Sequence, residues 1–222
     1  MPVKVYLDWM SQPSRAIIAF CLMNKIPYEV VETKIAEGKT RSAEFRKINP
    51  LGKVPAIVED DGFALFESHA ILRYLARKHN VPNHWYPTEP KAMALVDRYL
   101  DWHHSFLRTG SSTTVFNTLF APRMGIKSSV NLDESKKLML FSLKFIDEFY
   151  LKDNKFLAGN EISIADLSAA CEVSQVLLLG VDLSLYKNLS VWFQKVMAIP
   201  EVEKVHQVFF KVLKKLNPQP KF

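Results

Sequence analysis

A turn followed by a valine-proline step constrains this chain more than any other feature of its sequence. Residues 49–58 read Asn-Pro-Leu-Gly-Lys-Val-Pro-Ala-Ile-Val. Peptide bonds that precede proline adopt the cis form far more readily than other peptide bonds, and the residues after Pro55 have the β-branched content of a strand. We therefore predict a cis bend at Val54-Pro55 that turns the backbone N–H and C=O of Val54 outward.

A second motif, Glu67-Ser68, follows shortly afterwards and precedes an apolar helical pattern. Because serine is a good helix N-cap, we predict that Ser68 caps this helix. A carboxylate, a hydroxyl and the unpaired N–H groups of a helix start then lie together. Such a set of groups can bind the ammonium and carboxylate of an amino-acid end.

Strand and helix patterns alternate in the first part of the chain. We predict strands at residues 3–7, 28–33, 56–58 and 63–66, and helices at residues 13–24, 42–48 and 68–79. This βαβαββα order predicts an α/β, thioredoxin-like domain over residues 1–80. Residues 81–90 contain three prolines, too many for a regular element, and we interpret them as a linker.

The remainder of the chain, residues 91–222, has apolar residues at helical intervals and predicts an all-α domain. Its sharpest local signal is the pair Ser163 and Asp166. A serine at the cap and an acid three residues later can satisfy each other's backbone N–H groups. We assign this pair to a helix start with a structural role.

Composition limits the class of partner. The chain has 222 residues, 48% of them hydrophobic, and a formal net charge of +6. Its lysine excess between residues 204 and 221 alternates with apolar residues, as on the outer face of an amphipathic helix, so we expect no nucleic-acid partner. No basic leader and no long apolar span is evident, so we expect a cytoplasmic protein without membrane association. Cys21 and Cys171 lie among apolar residues and predict buried thiols.

These motifs, with Ser-Gln-Pro-Ser-Arg at residues 11–15, resemble the glutathione transferases of the theta class. The resemblance covers nearly the whole chain and includes residues 101–104 and 164–167. The sequences at residues 12–15 and 65–72 are most similar to those of plant-type members of that class. It is the order and spacing of the motifs, rather than any one of them, that carries the resemblance.

The resemblance implies that Ser11 is the catalytic residue, acting as a hydrogen-bond donor to the thiol of glutathione. A free thiol has a pKa of ~8.5, and lowering it by about 2 units costs about 2.7 kcal/mol. One charge-assisted hydrogen bond contributes roughly 1.5–3 kcal/mol, so a single hydroxyl is sufficient. Tyr6, in the first strand, and Ser14, in the following helix, are the alternative donors.

The resemblance also implies which residues bind glutathione. Glu67 and Ser68 take the γ-glutamyl end, the Val54 backbone pairs with the cysteinyl amide, and Lys53 meets the glycyl carboxylate. The remaining assignments to this subsite are Gln12, Thr40 and Arg41. Some theta relatives carry a histidine where this chain has Thr40, so Arg41 is the alternative for that glycyl contact.

The helical domain is expected to supply an apolar pocket for small hydrophobic electrophiles such as halides and epoxides, and for organic hydroperoxides that glutathione reduces. Arg108 is assigned to its electrophile side, with a salt bridge as the alternative role. His69, His103 and His104 show no metal-ligand spacing, so we expect no metal and no cofactor other than glutathione as co-substrate. The resemblance implies a homodimer through the helices at residues 68–79 and 91–108.

Two other classes of function remain as alternatives. A catalytically silent relative could use the same two domains as an interaction or assembly module, although such a module has no need of Ser11, Lys53 and Glu67-Ser68. A thiol oxidoreductase would need a cysteine after the first strand, where this chain has Ser11.

Overall fold

The computed structural model describes residues 1–127 and 129–219. Ser128 and residues 220–222, which end the predicted helical domain and include the last of its lysines, lie outside the described residues. The first part of the chain contains the elements β1 (Val3–Leu7), α1 (Gln12–Met23), β2 (Tyr28–Glu32), α2 (Ala43–Ile48), β3 (Ala56–Val58), β4 (Ala64–Phe66) and α3 (Ser68–Lys78). The predicted βαβαββα order and the thioredoxin-like fold class are confirmed.

The sheet is mixed and has the strand order β2-β1-β3-β4. Strand β1 runs parallel to β2, with α1 as the crossover, and antiparallel to β3, which pairs in turn with β4. Val5, opposite Val30 and Ile57, is fully buried because it lies on the face of β1 that packs into the core. Lys4, on the other face, is exposed. The cis peptide bond predicted at Val54-Pro55 is present and directly precedes β3.

Several element ends differ by one residue from the prediction, and a cap explains one of them. Ser42 lies outside α2 as its N-cap, and its side chain accepts a hydrogen bond from the Phe45 N–H. Ser68 was predicted as the N-cap of α3, which is wrong. The cap is Glu67, and Ser68 is the first helical residue.

The rest of the chain is helical, as predicted. Its helices are α4 (Pro90–His103), α5 (Thr109–Val115), α6 (Leu132–Phe145), α7 (Ile164–Val176), α8 (Lys187–Met197), α9 (Pro200–Val205) and α10 (Gln207–Leu216). Wider, π-helical turns extend α4, α5 and α6 over His104–Arg108, Phe116–Phe120 and Ile146–Tyr150. Short 3₁₀ turns occupy Lys39–Arg41, Asn83–Trp85, Pro122–Met124, Leu177–Leu179 and Leu183–Leu185.

Helix α7 is the central element, because each of its residues is buried and it contacts α1, α4, α5 and α8. Its start has the predicted capping box of Ser163 and Asp166. The fully buried Asp166 carboxylate also accepts hydrogen bonds from the Leu157 N–H and the Trp192 indole, both at 2.9 Å. One side chain thus joins the start of α7 to α8 and to the preceding loop.

Among the described residues, no helix combines the length and the apolar character that crossing a bilayer requires. Cys21 and Cys171 are both free and buried, as predicted.

We predict that Gly110→Ala destabilises the helical part of the protein. A Cβ at Gly110 would lie 2.5 Å from the Met139 backbone nitrogen, since α5 and α6 cross there with their backbones in contact. Overpacking of this kind typically costs about 1–3 kcal/mol, and here rigid backbone must move. Chemical denaturation monitored by circular dichroism measures the loss. An unchanged denaturation midpoint would contradict this close packing.

Candidate active site

A cavity of about 350 Å³ lies between the sheet domain and the helices that follow. It is lined by Pro13, Asn49, Lys53, Val54, Pro55, Glu67, Ser68, His104, Arg108, Thr109, Ser112 and Thr113. The structure therefore brings together both opening motifs of the sequence, the start of α1, and one face of the helix that runs from α4 into α5.

The turn before β3 is shaped by one side chain. Asn49, which is buried, donates from its amide to the Lys53 carbonyl at 2.6 Å and accepts from the Leu51 N–H at 3.0 Å. Gly52 has φ +62°, and a Cβ there would lie 2.9 Å from the Thr40 carbonyl oxygen. These contacts hold Lys53 exposed at the cavity and the Val54 backbone at its wall.

Glu67 has an unusual backbone conformation, with φ 72° and ψ 108°. Positive φ is uncommon outside glycine and is often found where function requires a particular geometry. The conformation places the Glu67 carboxylate at the cavity directly before the N-terminus of α3, where Ser68 supplies a hydroxyl. The acceptor and donor groups expected for an amino-acid end are therefore adjacent, although the cap is not the one predicted.

Ser11 is the N-cap of α1 and lies two residues before Pro13, which lines the cavity. Its side chain is 7% exposed and forms no capping hydrogen bond to α1. Ser11 itself is not among the residues that line the cavity. The two alternative donors also lie away from that cavity. The Tyr6 ring packs against that of Phe45 at 5.9 Å, and the fully buried Ser14 hydroxyl has no hydrogen-bond partner within the described part of the chain.

The fully buried Arg15 fixes the turn that carries Ser11. Its guanidinium donates to the carbonyls of Trp9 and Met10, at 2.9 and 3.0 Å, and on its other side to the Ser174 hydroxyl of α7 at 3.2 Å. Asp8 completes the turn by accepting from the Met10 N–H at 2.8 Å. These contacts tie the start of α1 to the centre of the helical part.

Three predicted glutathione residues do not line the cavity. Gln12 points its amide at Ser112 of α5, at 2.8 Å, and borders a smaller cavity behind the first. Thr40 is buried beneath the turn at Gly52, and Arg41 is exposed beside it. Their assignment to glutathione stays a prediction.

The helical wall of this cavity is polar, and the apolar pocket expected of the helical part stays a prediction. It presents Arg108, His104 and the hydroxyl residues Thr109, Ser112 and Thr113. Both His104 and Arg108 lie in the π-helical turn that joins α4 to α5. Such turns are rare and occur frequently at functional sites.

Arg108 forms the salt bridge that the sequence offered as its alternative role, and its assignment to the electrophile side stays a prediction. Its guanidinium lines the cavity and is 35% exposed, while its Nη1 donates to the buried Glu172 carboxylate at 2.9 Å. Sequence reasoning missed Glu172, because it lies in a helix whose other residues are buried and mostly apolar.

Three imidazoles pack together behind the cavity. The ring of His69 lies 4.9 Å from that of His103 and 4.2 Å from that of His104. Burial, followed by the positive charge of neighbours, lowers the pKa of His69 and His103 well below the usual range and lowers that of His104. Among the residues described, no group of three or more His, Cys, Asp or Glu is arranged to hold a metal ion.

We predict that this cluster makes the fold sensitive to mild acid. Because His69 and His103 have a lowered pKa in the folded protein, below about pH 6.5 the unfolded chain takes up protons that the folded chain does not. The free energy of unfolding then falls by up to about 1.4 kcal/mol per pH unit for each imidazole. Asp166, whose pKa burial raises, acts in the opposite direction at lower pH.

Denaturation between about pH 7 and about pH 5.5 measures this slope, and His69→Asn should reduce it. An equal slope for both proteins would contradict the assignment of His69.

Known proteins are similar to this chain over nearly its whole length. The family models "Glutathione S-transferase, N-terminal domain" and "Glutathione S-transferase, C-terminal domain" match residues 1–77 and 115–200. Glutathione S-transferase T1 of Arabidopsis thaliana is 43% identical over 96% of this chain and 91% of that protein. Glutathione S-transferase T3 of the same plant is 40% identical over 99% of this chain, which spans 39% of the length of that protein.

A solved structure is similar over the full length. The human theta-class glutathione transferase in complex with the glutathione conjugate of 1-menaphthyl sulfate superimposes with a TM-score of 0.89. It is 32% identical, and the match covers 100% of this chain and 94% of that chain. The present chain belongs to the glutathione transferase family and, within it, to the theta class.

Proposed function

We propose that this glutathione transferase binds glutathione in the cavity between its two domains and activates the thiol through the Ser11 hydroxyl. The observation that carries the proposal is the composition of the cavity. The sheet domain contributes Lys53, the Val54 backbone and Glu67-Ser68, and the helical part contributes the cation Arg108. A tripeptide with an amino-acid end and a second carboxylate needs groups of these kinds.

Glutathione is proposed to lie along the turn at residues 53–55. Its γ-glutamyl end meets Glu67 and Ser68 at the N-terminus of α3, where helix N–H groups favour a carboxylate. Its cysteinyl amide pairs with the Val54 backbone in the manner of an added strand. Its glycyl carboxylate meets Lys53, and Thr40, Arg41 and Gln12 remain proposed secondary contacts.

Ser11 is the proposed donor because it lies at the N-terminus of α1, two residues before Pro13 in the cavity wall. It precedes α1, and it makes no capping hydrogen bond that a ligand would have to break. Its hydroxyl and the helix end both stabilise an anion, and together they meet the ~2.7 kcal/mol that a thiolate at neutral pH requires. The reaction is then attack of the thiolate on an electrophile.

The polar wall of the helical part favours electrophiles that develop negative charge during the reaction. Arg108 and the hydroxyl of Thr113 can solvate an anionic leaving group or the oxygen of a hydroperoxide. The hydroxyl protons of Thr109 and Ser112 are donated to the His104 carbonyl and to Glu172 instead. The conjugate in the human relative derives from a sulfate ester. We propose halides, epoxides and organic hydroperoxides as substrate classes, with peroxidase activity as the hydroperoxide reaction.

We further propose a homodimer and a cytoplasmic location, with domains over residues 1–80 and 91–222 and a linker between them. An aromatic strip of Trp102, Phe106, Phe141, Phe145 and Phe149 follows the outer face of α4 and α6. Phe106, Phe141 and Phe149 are exposed, and exposed apolar patches of this kind mark interaction sites. A second copy of this chain is the proposed occupant, through a two-fold contact.

We predict that Ser11→Ala lowers kcat by about 10²-fold with little effect on the binding of glutathione, because a ~2.7 kcal/mol contact to the thiolate is lost. Conjugation assays with a panel of halides and with cumene hydroperoxide measure the loss, and calorimetry measures glutathione binding. Tyr6→Phe and Ser14→Ala are the matched controls. If Ser11→Ala keeps full turnover and one of the two control variants loses it, the donor is the hydroxyl that this control removes. If the wild type binds no glutathione, the interaction module becomes the better interpretation.

For the dimer, we predict that Phe141→Lys shifts the protein to the monomer in sedimentation velocity experiments. A buried lysine opposite its symmetry mate would be desolvated beside a like charge. Val191→Lys, at an exposed apolar residue on α8, is the control that should remain dimeric. A monomeric wild type, or a dimeric Phe141→Lys variant, would contradict the proposed face.

A further inference from the structure

The buried carboxylate of Glu172 contacts several groups that shape the cavity. Glu172 lies near the middle of α7 and is fully buried. Its two oxygens have separate sets of partners, one on the electrophile side of the cavity and one toward the start of α1.

The first oxygen, Oε2, holds Arg108. The Arg108 Nη1 donates to it at 2.9 Å, and the His103 Nε2 lies 3.9 Å away. Because burial lowers the pKa of His103 well below its usual range, this imidazole is neutral and Arg108 is the cation that pairs with the carboxylate. The direction in which Arg108 faces the cavity is therefore set by Glu172.

The second oxygen, Oε1, reaches the turn of Ser11 through two further side chains. The Ser112 hydroxyl donates to Oε1 at 3.1 Å and accepts from the Gln12 amide at 2.8 Å. Ser111 donates to the same oxygen at 2.5 Å, and Gln175 also donates to it. Gln12 is the first residue of α1 and directly follows Ser11, so this chain of hydrogen bonds connects α7 to the proposed catalytic residue.

Stability alone gives no reason for an acid at this position. Taking a carboxylate out of water costs several kcal/mol, and replacing a buried ion pair by apolar residues is often neutral or stabilising. A fully satisfied polar network, in contrast, fixes the orientation of each of its members. Here the members include Arg108 and Ser112, which both line the cavity.

We propose that Glu172 is a positioning residue for the transferase reaction. It fixes Arg108 against the electrophile and, through Ser112 and Gln12, fixes the start of α1 and its Ser11 hydroxyl relative to the bound thiol. The inference rests on the proposed function, since it concerns the geometry of the same site. It adds to that site a residue that contacts no substrate.

The test is Glu172→Gln, which keeps the size of the side chain and removes its charge. We expect kcat to fall by about 10-fold or more, because small misplacements of reacting groups reduce rates strongly. The KM for glutathione should change by less than about threefold, since the proposed binding groups Lys53, Val54, Glu67 and Ser68 belong to the sheet domain and keep their own supports. If the substitution lowered only the stability of the fold, kcat and the KM for glutathione would both be unchanged in the protein that remains folded.

Asp147→Ala supplies the control for a purely structural effect. The Asp147 carboxylate accepts from the backbone N–H groups of Asn188 and Leu189 at the start of α8, away from the cavity. Its loss should lower the denaturation midpoint while kcat stays within about twofold of the wild type. Equal kcat for Glu172→Gln, Asp147→Ala and the wild type would overturn the proposal.

Ser112→Ala keeps the proposal testable if Glu172→Gln does not fold. It removes only the hydroxyl between Gln12 and Glu172, and we expect kcat to fall by about threefold to tenfold. In the double variant this loss should not add to that of Glu172→Gln, because one chain of contacts is broken in both. Full turnover in Ser112→Ala, or additive losses, would overturn the connection to Ser11. A wild type without turnover would instead refute the proposed function itself.

Discussion

The arrangement of this site depends on one buried guanidinium. Arg15 donates to the carbonyls of Trp9 and Met10, which precede it in the chain, and to the Ser174 hydroxyl of α7. A buried charge is costly unless it is hydrogen-bonded, so the guanidinium and these partners of its terminal nitrogens must keep their places together. Its Nε has no hydrogen-bond partner among the described residues. The turn that carries Ser11 is thereby fixed to the helical part.

The two walls of the cavity are consequently joined by polar contacts as well as by apolar packing. Arg15 connects α1 to α7, the Gln12 amide connects α1 to α5, and Glu172 connects α7 to Arg108. Directional hydrogen bonds set orientation more narrowly than apolar packing does. A site that must place a sulfur atom beside a hydroxyl and an electrophile beside a cation benefits from such narrowly defined side-chain orientations.

Features with local causes could be predicted from the sequence. The cis bond at Val54-Pro55, the order of strands and helices, and the capping box of Ser163 and Asp166 depend on residues close to each other in the chain. The family resemblance added the identity of the fold, which the comparisons confirmed.

Features that depend on distant residues could not be predicted. The meeting of His69 with His103 and His104, the contact between Gln12 and Ser112, and the pairing of Arg108 with Glu172 bring together residues far apart in sequence. Spacing along the chain carries no information about such pairs. The prediction of the α3 cap was wrong for a different reason, because the residue type of Glu67 gives no sign of its positive φ.

The most direct test of the whole account is the pKa of the thiol of bound glutathione, measured from the thiolate absorbance as pH is raised. The account predicts a pKa about 2 units below the free value of ~8.5 in the wild type and a return toward that value in Ser11→Ala. An equally low pKa in both proteins would contradict the claim that this hydroxyl stabilises the thiolate.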